Sequence, residues 1–79
     1  MKLGEKLRLI RASEQLTQGQ MAELVGLSVD TLKNYELARR REISALALLK
    51  ITTHPLFTKY TLWLMADQVA PEAGQVSPV

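Results

Sequence analysis

The chain contains no cysteine, so disulfide bonds and thiol chemistry can contribute neither to its stability nor to its function. It has a single histidine, no glycine-rich phosphate loop and no carboxylates clustered at the spacing of metal ligands. These absences argue against an enzyme, a cofactor and a metal site. No apolar run reaches the ~20 residues of a membrane span, and charges interrupt the N-terminus too often for a secretory signal. We therefore expect a non-enzymatic cytoplasmic protein.

Charge is distributed unevenly along the 79 residues, a length that fits one small domain. Residues 1–66 contain all ten basic side chains and six acidic ones, whereas residues 67–79 contain two acidic side chains and no basic one. The segment 67–79 also contains Pro71, Gly74 and Pro78 and has no periodic apolar pattern. We predict a folded basic domain over 1–66, suited to a nucleic acid, followed by a flexible tail over 67–79.

Residues 16–36 carry the strongest local pattern, which predicts two short helices joined by a tight turn. Thr17 followed by Gln20 forms a capping-box pattern at the start of the first helix. Gly26 suits the left-handed conformation that follows a helix end, and Ser28 is a typical N-cap of the second helix. Such a pair is typical of a helix-turn-helix, and equally of any small helical hairpin, so spacing alone leaves DNA binding open.

The same stretch resembles the helix-turn-helix of the phage-repressor-like bacterial regulators, the Cro and lambda-repressor type of the XRE family. The shared pattern TQ-x-x-x-A-x-x-x-G-x-S-x-x-T-L-x-x-Y-E matches here at Thr17, Gln18, Ala22, Gly26, Ser28, Thr31, Leu32, Tyr35 and Glu36. The resemblance extends from about residue 3 to residue 67. It implies a bacterial protein with an all-α, compact five-helix lambda-repressor-like fold, in which helices 2 and 3 form the helix-turn-helix that binds double-stranded DNA.

Apolar periodicity places the five helices at residues 2–14, 17–25, 28–36, 43–52 and 55–66. Lys6 and Glu14 suit the solvent-exposed face of helix 1. Helix 4 is apolar nearly all round apart from Lys50, so we expect it to be a core helix. Trp63 in helix 5 is expected to anchor the core, and His54 to cap a turn or lie at the surface.

Helix 3 is the expected recognition helix, because the resemblance places it in the major groove of DNA. Its apolar stripe faces inward, which leaves four side chains outward for base readout: Val29, Asp30, Lys33 and Asn34. Asn34 suits adenine, Lys33 suits guanine or a phosphate, and Val29 suits a thymine methyl group. Asp30 suits cytosine, or it simply stabilises the start of the helix.

Phosphate contacts are expected on either side of that helix. The resemblance implies that Gln18 hydrogen-bonds a phosphate and braces the recognition helix, although simple helix capping is the alternative. Thr31 lies at the margin of the outward face. Arg39, Arg40 and Arg41 follow the recognition helix directly, where positive charge would lie beside the groove. A solvated charged surface is the alternative for this run.

Two further features come from the comparison with the family pattern. The resemblance implies an ion pair between Arg11 and Glu36 that would join helix 1 to the end of helix 3; two solvated charges are the alternative. The family also has a glycine where this chain has Ala38. Either helix 3 continues past Glu36, or the turn forms without glycine.

The sequence thus predicts a site-specific transcriptional regulator, a repressor of phage, prophage or plasmid type. A domain of this size has limited contact area, so we expect a homodimer on two half-sites, joined through helix 5 and the C-terminal region. The alternative is a protein-interaction module, such as an antitoxin-like or polymerase-binding protein, in which DNA binding is secondary.

Overall fold

The computed structural model of the chain describes residues 1–39 and 42–79. Its described part contains five α-helices: α1 Leu3–Ser13, α2 Gln18–Val25, α3 Val29–Glu36, α4 Ala45–Thr52 and α5 Thr61–Ala66. Short 3-10 turns lie at Thr58–Tyr60 and Pro71–Ala73. The expected all-α, five-helix architecture is therefore confirmed. None of the described helices combines the length and the apolar character that crossing a membrane requires.

Side-chain caps define the turn between α2 and α3. The Thr17 hydroxyl accepts the N–H of Gln20 at 3.1 Å, and the Gln20 side-chain oxygen accepts the N–H of Thr17 at 2.9 Å. Gly26 ends α2 with φ of +72°, and the Ser28 hydroxyl accepts the N–H of Thr31 at 3.1 Å. Because these caps satisfy backbone groups that a helix end leaves free, these residues fix the start and the end of α2 and the start of α3.

Three helices are followed by a left-handed residue that is not glycine, and one of these residues is Asp67 after α5, with φ of +55°. Gln15 after α1 and Ala38 after α3 both take the left-handed conformation, with φ of +57°. The N–H of Arg39 then donates to the carbonyl of Asn34 at 3.0 Å, and the N–H of Ala38 donates to the carbonyl of Tyr35 at 3.1 Å. This hydrogen-bond pattern closes a helix end. Of the two possibilities for Ala38, the turn without glycine is therefore the one observed.

The core is built around α1, which packs against both α3 and α5. Its buried apolar side chains come from all five helices and from the segment between α4 and α5: Leu7, Ile10, Met21, Ala22, Val25, Leu32, Tyr35, Ala47, Ile51, Phe57, Tyr60, Trp63 and Leu64. Burial of these side chains supplies most of the driving force for folding. The inward-facing residues of α3 thus hold it against α1 and leave its opposite side free.

Helix 4 is less buried than expected, so its prediction as a core helix was wrong. Only Ala47 and Ile51 of α4 are fully buried, whereas Leu46 and Leu49 are 63% and 56% exposed. The rest of this small domain covers only one side of α4, so the other side keeps its apolar residues at the surface.

Helix 5 begins later than predicted. The backbone N–H groups of Phe57 and Thr58 both donate to the carbonyl of His54, which makes a turn rather than the first turn of an α-helix. His54 Nδ1 also accepts the N–H of Leu56 at 3.1 Å. This turn directs Phe57 into the core, and the α-helix starts only at Thr61.

Lys6 is buried, with only 4% of its surface exposed, which corrects its assignment to the solvent-exposed face. Its amine donates to the carbonyls of Trp63 at 3.0 Å and Leu64 at 3.3 Å, and it pairs with Asp67. The free carbonyls at a helix end carry partial negative charge, so they attract an ammonium group. Lys6 therefore joins α1 to the end of α5.

The C-terminal segment turns back onto the start of α5. Gln75 donates to the carbonyl of Thr58 at 3.0 Å and accepts the N–H of Leu62 at 2.9 Å, and the N–H of Val76 donates to the carbonyl of Lys59 at 2.8 Å. Gln75 thus satisfies backbone groups that the start of α5 leaves free. These contacts hold Gln75 and Val76 against the start of α5, whereas the sequence predicted a flexible tail over 67–79. The division into 1–66 and 67–79 stays a prediction, which limited proteolysis would test.

Candidate nucleic-acid interface

The outward side of α3 presents the four side chains that the sequence suggested for base readout. Val29 is 47% exposed, Asp30 and Lys33 are exposed, and Asn34 is half-buried. Their spacing puts them on one side of the helix. The structure therefore brings an apolar group, an acid, a base and an amide together on a surface that the core does not use.

A single carboxylate joins three segments at the end of α3. Glu36 is 7% exposed and accepts hydrogen bonds from Arg11 Nε and Nη2, both at 2.8 Å. Arg11 Nη1 also donates to the carbonyl of Leu16 at 3.0 Å. Gln18 Nε2 donates to Glu36 Oε1 at 3.2 Å. The ion pair that the resemblance implied is therefore present in the structure, and α2 is joined to it through Gln18.

This arrangement stabilises the charged form of Arg11. Its hydrogen bond to Glu36 raises the pKa of the guanidinium above its usual value and outweighs the opposing effect of burial. A bidentate arginine–carboxylate pair also has a fixed planar geometry. The orientation of α3 relative to α1 is consequently set by directional bonds as well as by apolar packing.

The start of α2 lies next to the Arg11–Glu36 pair, because Gln18 binds the same carboxylate. A side-chain amide has two N–H donors, so Gln18 can bind Glu36 with one and still offer the other to a ligand. Gly19 follows and is exposed. A Cβ atom on Gly19 would meet only Thr17 Oγ1, at 3.9 Å. Nothing in the described protein therefore requires a glycine at this position.

The remaining expected phosphate contacts lie at the two ends of α3. The Thr31 hydroxyl accepts a hydrogen bond from Ser28 at 2.7 Å, so its own hydrogen is free for another acceptor. Arg39 is exposed directly after α3. Arg40 and Arg41 lie outside the described residues. As for metals, residues 1–39 and 42–79 contain no group of three or more His, Cys, Asp or Glu side chains that would hold one.

Sequence reasoning missed Gly4, which touches the recognition helix. This glycine is buried in α1, and a Cβ atom there would lie 1.9 Å from the carbonyl oxygen of Tyr35. The available signal was a glycine inside a predicted helix, where glycine lowers helix stability and therefore needs a reason.

A family model described as a helix-turn-helix domain matches residues 2–54 of the chain. The match includes α1 to α4 and therefore the whole surface described above. The chain belongs to this helix-turn-helix family.

The chain is also similar to a known phage protein. It is 43% identical to repressor protein C of Escherichia phage P2 over 76 residues, which are 96% of this chain and 76% of that repressor. Together with the fold, this similarity makes the chain a phage-repressor-like helix-turn-helix regulator.

Proposed function

We propose that this protein is a DNA-binding transcriptional repressor of the phage type, which places α3 in the major groove of a specific site. The observation that carries the proposal is the outward side of α3, where four side chains able to contact base edges are held in place through Glu36. Its similarity to a phage repressor supports the same conclusion. The protein would act in the bacterial cytoplasm, where its DNA is found.

Base readout would come from the exposed side of α3. Asn34 can accept from and donate to adenine at once, and Lys33 can donate to guanine or to a neighbouring phosphate. Val29 offers an apolar surface to a thymine methyl group. Asp30 can accept from the amino group of cytosine, and its place in the first turn of α3 also suits the helix dipole.

Phosphate contacts would fix the protein along the duplex without reading sequence. Gln18 has a second N–H donor and lies at the N-terminus of α2, whose free backbone N–H groups attract anions. Thr31 and Arg39 can contribute from the two ends of α3. From the sequence, Arg40 and Arg41 would extend the positive charge.

The experiment that tests this function compares Asn34→Ala with the matched polar control Gln68→Ala, which alters an exposed residue outside the helices. On the preferred DNA site, Asn34→Ala should cost ~1–3 kcal/mol of binding free energy and relax the preference at one base pair. Gln68→Ala should change neither. An Asn34→Ala protein with unchanged affinity and unchanged base preference would contradict the assignment of α3 as the reading helix.

A second copy of the chain is the partner that we propose for the C-terminal half. An apolar groove of about 280 Å³ lies between α4 and α5, lined by Ala45, Leu48, Leu49, Thr52, Thr61 and Met65. No charged side chain among the described residues lines it, so it suits an apolar surface better than DNA. Pairing through this groove would present two recognition helices to two half-sites, which in such dimers lie about one DNA turn (~34 Å) apart.

Oligomeric state tests this pairing. We expect sedimentation equilibrium to show a dimer that Leu49→Glu converts to a monomer, because a charge in the groove would have to be desolvated. Leu24→Glu is the matched control, since Leu24 is also an exposed leucine, at 43%, but lies outside the groove. A wild-type protein that stays monomeric at every concentration would contradict the homodimer. It would favour the alternative in which the groove binds a different protein, as in an antitoxin-like or polymerase-binding module.

A further inference from the structure

At Gly4, α1 lies so close to the recognition helix that backbone atoms leave no room for a side chain. Gly4 lies in α1 and is buried against the end of α3. A Cβ atom at this position would lie 1.9 Å from the carbonyl oxygen of Tyr35, 2.9 Å from its carbonyl carbon and 3.4 Å from the Cα of Glu36. All three are backbone atoms, which cannot move aside by rotation of a side chain.

The conformation of Gly4 does not itself require glycine. It is in the first turn of an α-helix, where alanine is the better residue, and its φ is not positive. Gly19 of α2 provides a contrast, because a Cβ atom there meets nothing closer than 3.9 Å. Gly4 is therefore explained by the close approach to α3 and by no property of α1 alone.

The carbonyl that Gly4 contacts has a structural task of its own. The Tyr35 oxygen accepts the N–H of Ala38 at 3.1 Å, a bond that closes the end of α3 before the arginine-rich segment. One face of α1 thus makes two contacts with this end. Gly4 allows backbone contact at Tyr35, and Arg11, two turns further along α1, binds Glu36 at 2.8 Å.

We propose that Gly4 is a positioning residue for DNA recognition, which sets the distance between α1 and α3 while the Arg11–Glu36 pair sets their relative rotation. This proposal rests on the proposed function. With any side chain at position 4, the distance between its Cβ atom and the Tyr35 oxygen must increase from 1.9 Å to at least 3.0 Å. The backbones of α1 and α3 must therefore separate by about 1 Å at this point. Binding groups need to be placed within about 0.5 Å, so such a shift would misplace base contacts made by the same helix.

The test measures affinity for the preferred site and for a random duplex at the same salt concentration. The variants are Gly4→Ala and, as a control for lost stability alone, Ile51→Val in the core of α4. Each is titrated at a temperature where circular dichroism shows it fully folded. We expect Gly4→Ala to weaken site binding at least ~10-fold and random-duplex binding less than ~3-fold, because phosphate contacts tolerate displacement better than base contacts. Ile51→Val should leave the ratio of the two affinities unchanged.

Gly4→Ala is also made in a Gln15→Gly background, which relieves the left-handed strain at φ of +57° after α1 and offsets lost stability. A folded Gly4→Ala protein with an unchanged affinity ratio would overturn the positioning role alone. Failure to fold even in this background would also overturn it, since the contact would then serve the core itself. A wild-type protein without preference for any duplex would overturn both this role and the proposed function.

Discussion

The half of the molecule that contains α1 to α3 differs from the half that contains α4, α5 and the C-terminal segment in what it leaves at the surface. In the first half, directional bonds from Arg11 and Gln18 converge on buried Glu36, and the outward side of α3 is mainly polar. In the second half, Leu49 and Met65 are more than half exposed, and they line a groove whose described residues carry no charge. The polar surface of the first half is stable in contact with water and suits a polar ligand. The apolar surface of the second half favours burial and suits an apolar partner.

The largest effect should follow from breaking the polar junction of the first half. Glu36→Ala leaves the guanidinium of Arg11, a side chain only 19% exposed, without its carboxylate partner. Removing one partner of a buried ion pair typically costs ~3–5 kcal/mol, because the other charge is left uncompensated. Denaturant unfolding measures this loss. A double variant, Glu36→Ala with Arg11→Met, should recover part of it; a loss below ~1 kcal/mol in the single variant would contradict the junction's role.

A smaller effect is expected from the buried amine that joins the two halves. Lys6→Met keeps the apolar stem but removes the donor to the carbonyls of Trp63 and Leu64. The Trp63 carbonyl keeps the N–H of Asp67, whereas the Leu64 carbonyl loses the Lys6 amine. A buried acceptor that loses its partner typically costs ~1–3 kcal/mol. The control is Asp67→Asn, which alters the exposed partner of Lys6 and should cost less, because solvent screens that pair. Equal effects of the two substitutions on the free energy of unfolding would place the important contact at Asp67 instead.

Acid should weaken the contact between the two halves that Glu14, at the end of α1, makes with Tyr60 and Lys59. The hydrogen bond from Tyr60 at 2.5 Å, helped by Lys59, lowers the pKa of Glu14 below its ordinary value of 4.5. Because the folded pKa is the lower one, this stabilisation is complete above about pH 4.5 and is lost as the pH falls through the folded pKa. Denaturant midpoints measured between about pH 3 and pH 7 should therefore fall at the acidic end. Glu14→Gln should make that fall shallower, and an identical fall in this variant would assign it to other groups.

The smallest effect concerns Gly19, where the free protein and the complex should respond in opposite directions. Gly19→Ala should raise the stability of the free protein by ~0.5–1 kcal/mol, because alanine favours a helix and the position has room for a methyl group. If the DNA backbone approaches α2 at this point, the same methyl group should weaken binding to all duplexes. Unchanged affinity in a stabilised variant would place the DNA backbone away from Gly19.

Local chemistry explains which parts of the fold the sequence could predict. Thr17, Gln20, Gly26 and Ser28 act within three or four residues of their own positions, so their roles can be read without knowing the rest of the fold. Gly4 and Lys6 cannot be understood in that way. Their partners are about 30 and 60 residues away along the chain, and only the packing of α1 against α3 and α5 brings them together.

The same distinction applies to surfaces. Periodicity showed that α4 is apolar, but it could not distinguish a side that packs on the core from a side that stays exposed, such as Leu46 and Leu49. On α3 the inward and outward sides were predictable, because Leu32 and Tyr35 form an apolar stripe among polar residues. The sites on α3 and the homodimer are still predictions that depend on binding experiments.

The most direct test is a selection of binding sites from a random duplex library, performed with the wild-type protein at two salt concentrations. We expect an enriched inverted repeat whose half-sites lie about one DNA turn apart, with affinity that falls steeply as salt rises because phosphate contacts release counterions. This result would match a repressor that reads DNA with α3 as a two-fold dimer. No enriched sequence from a folded protein would contradict that account.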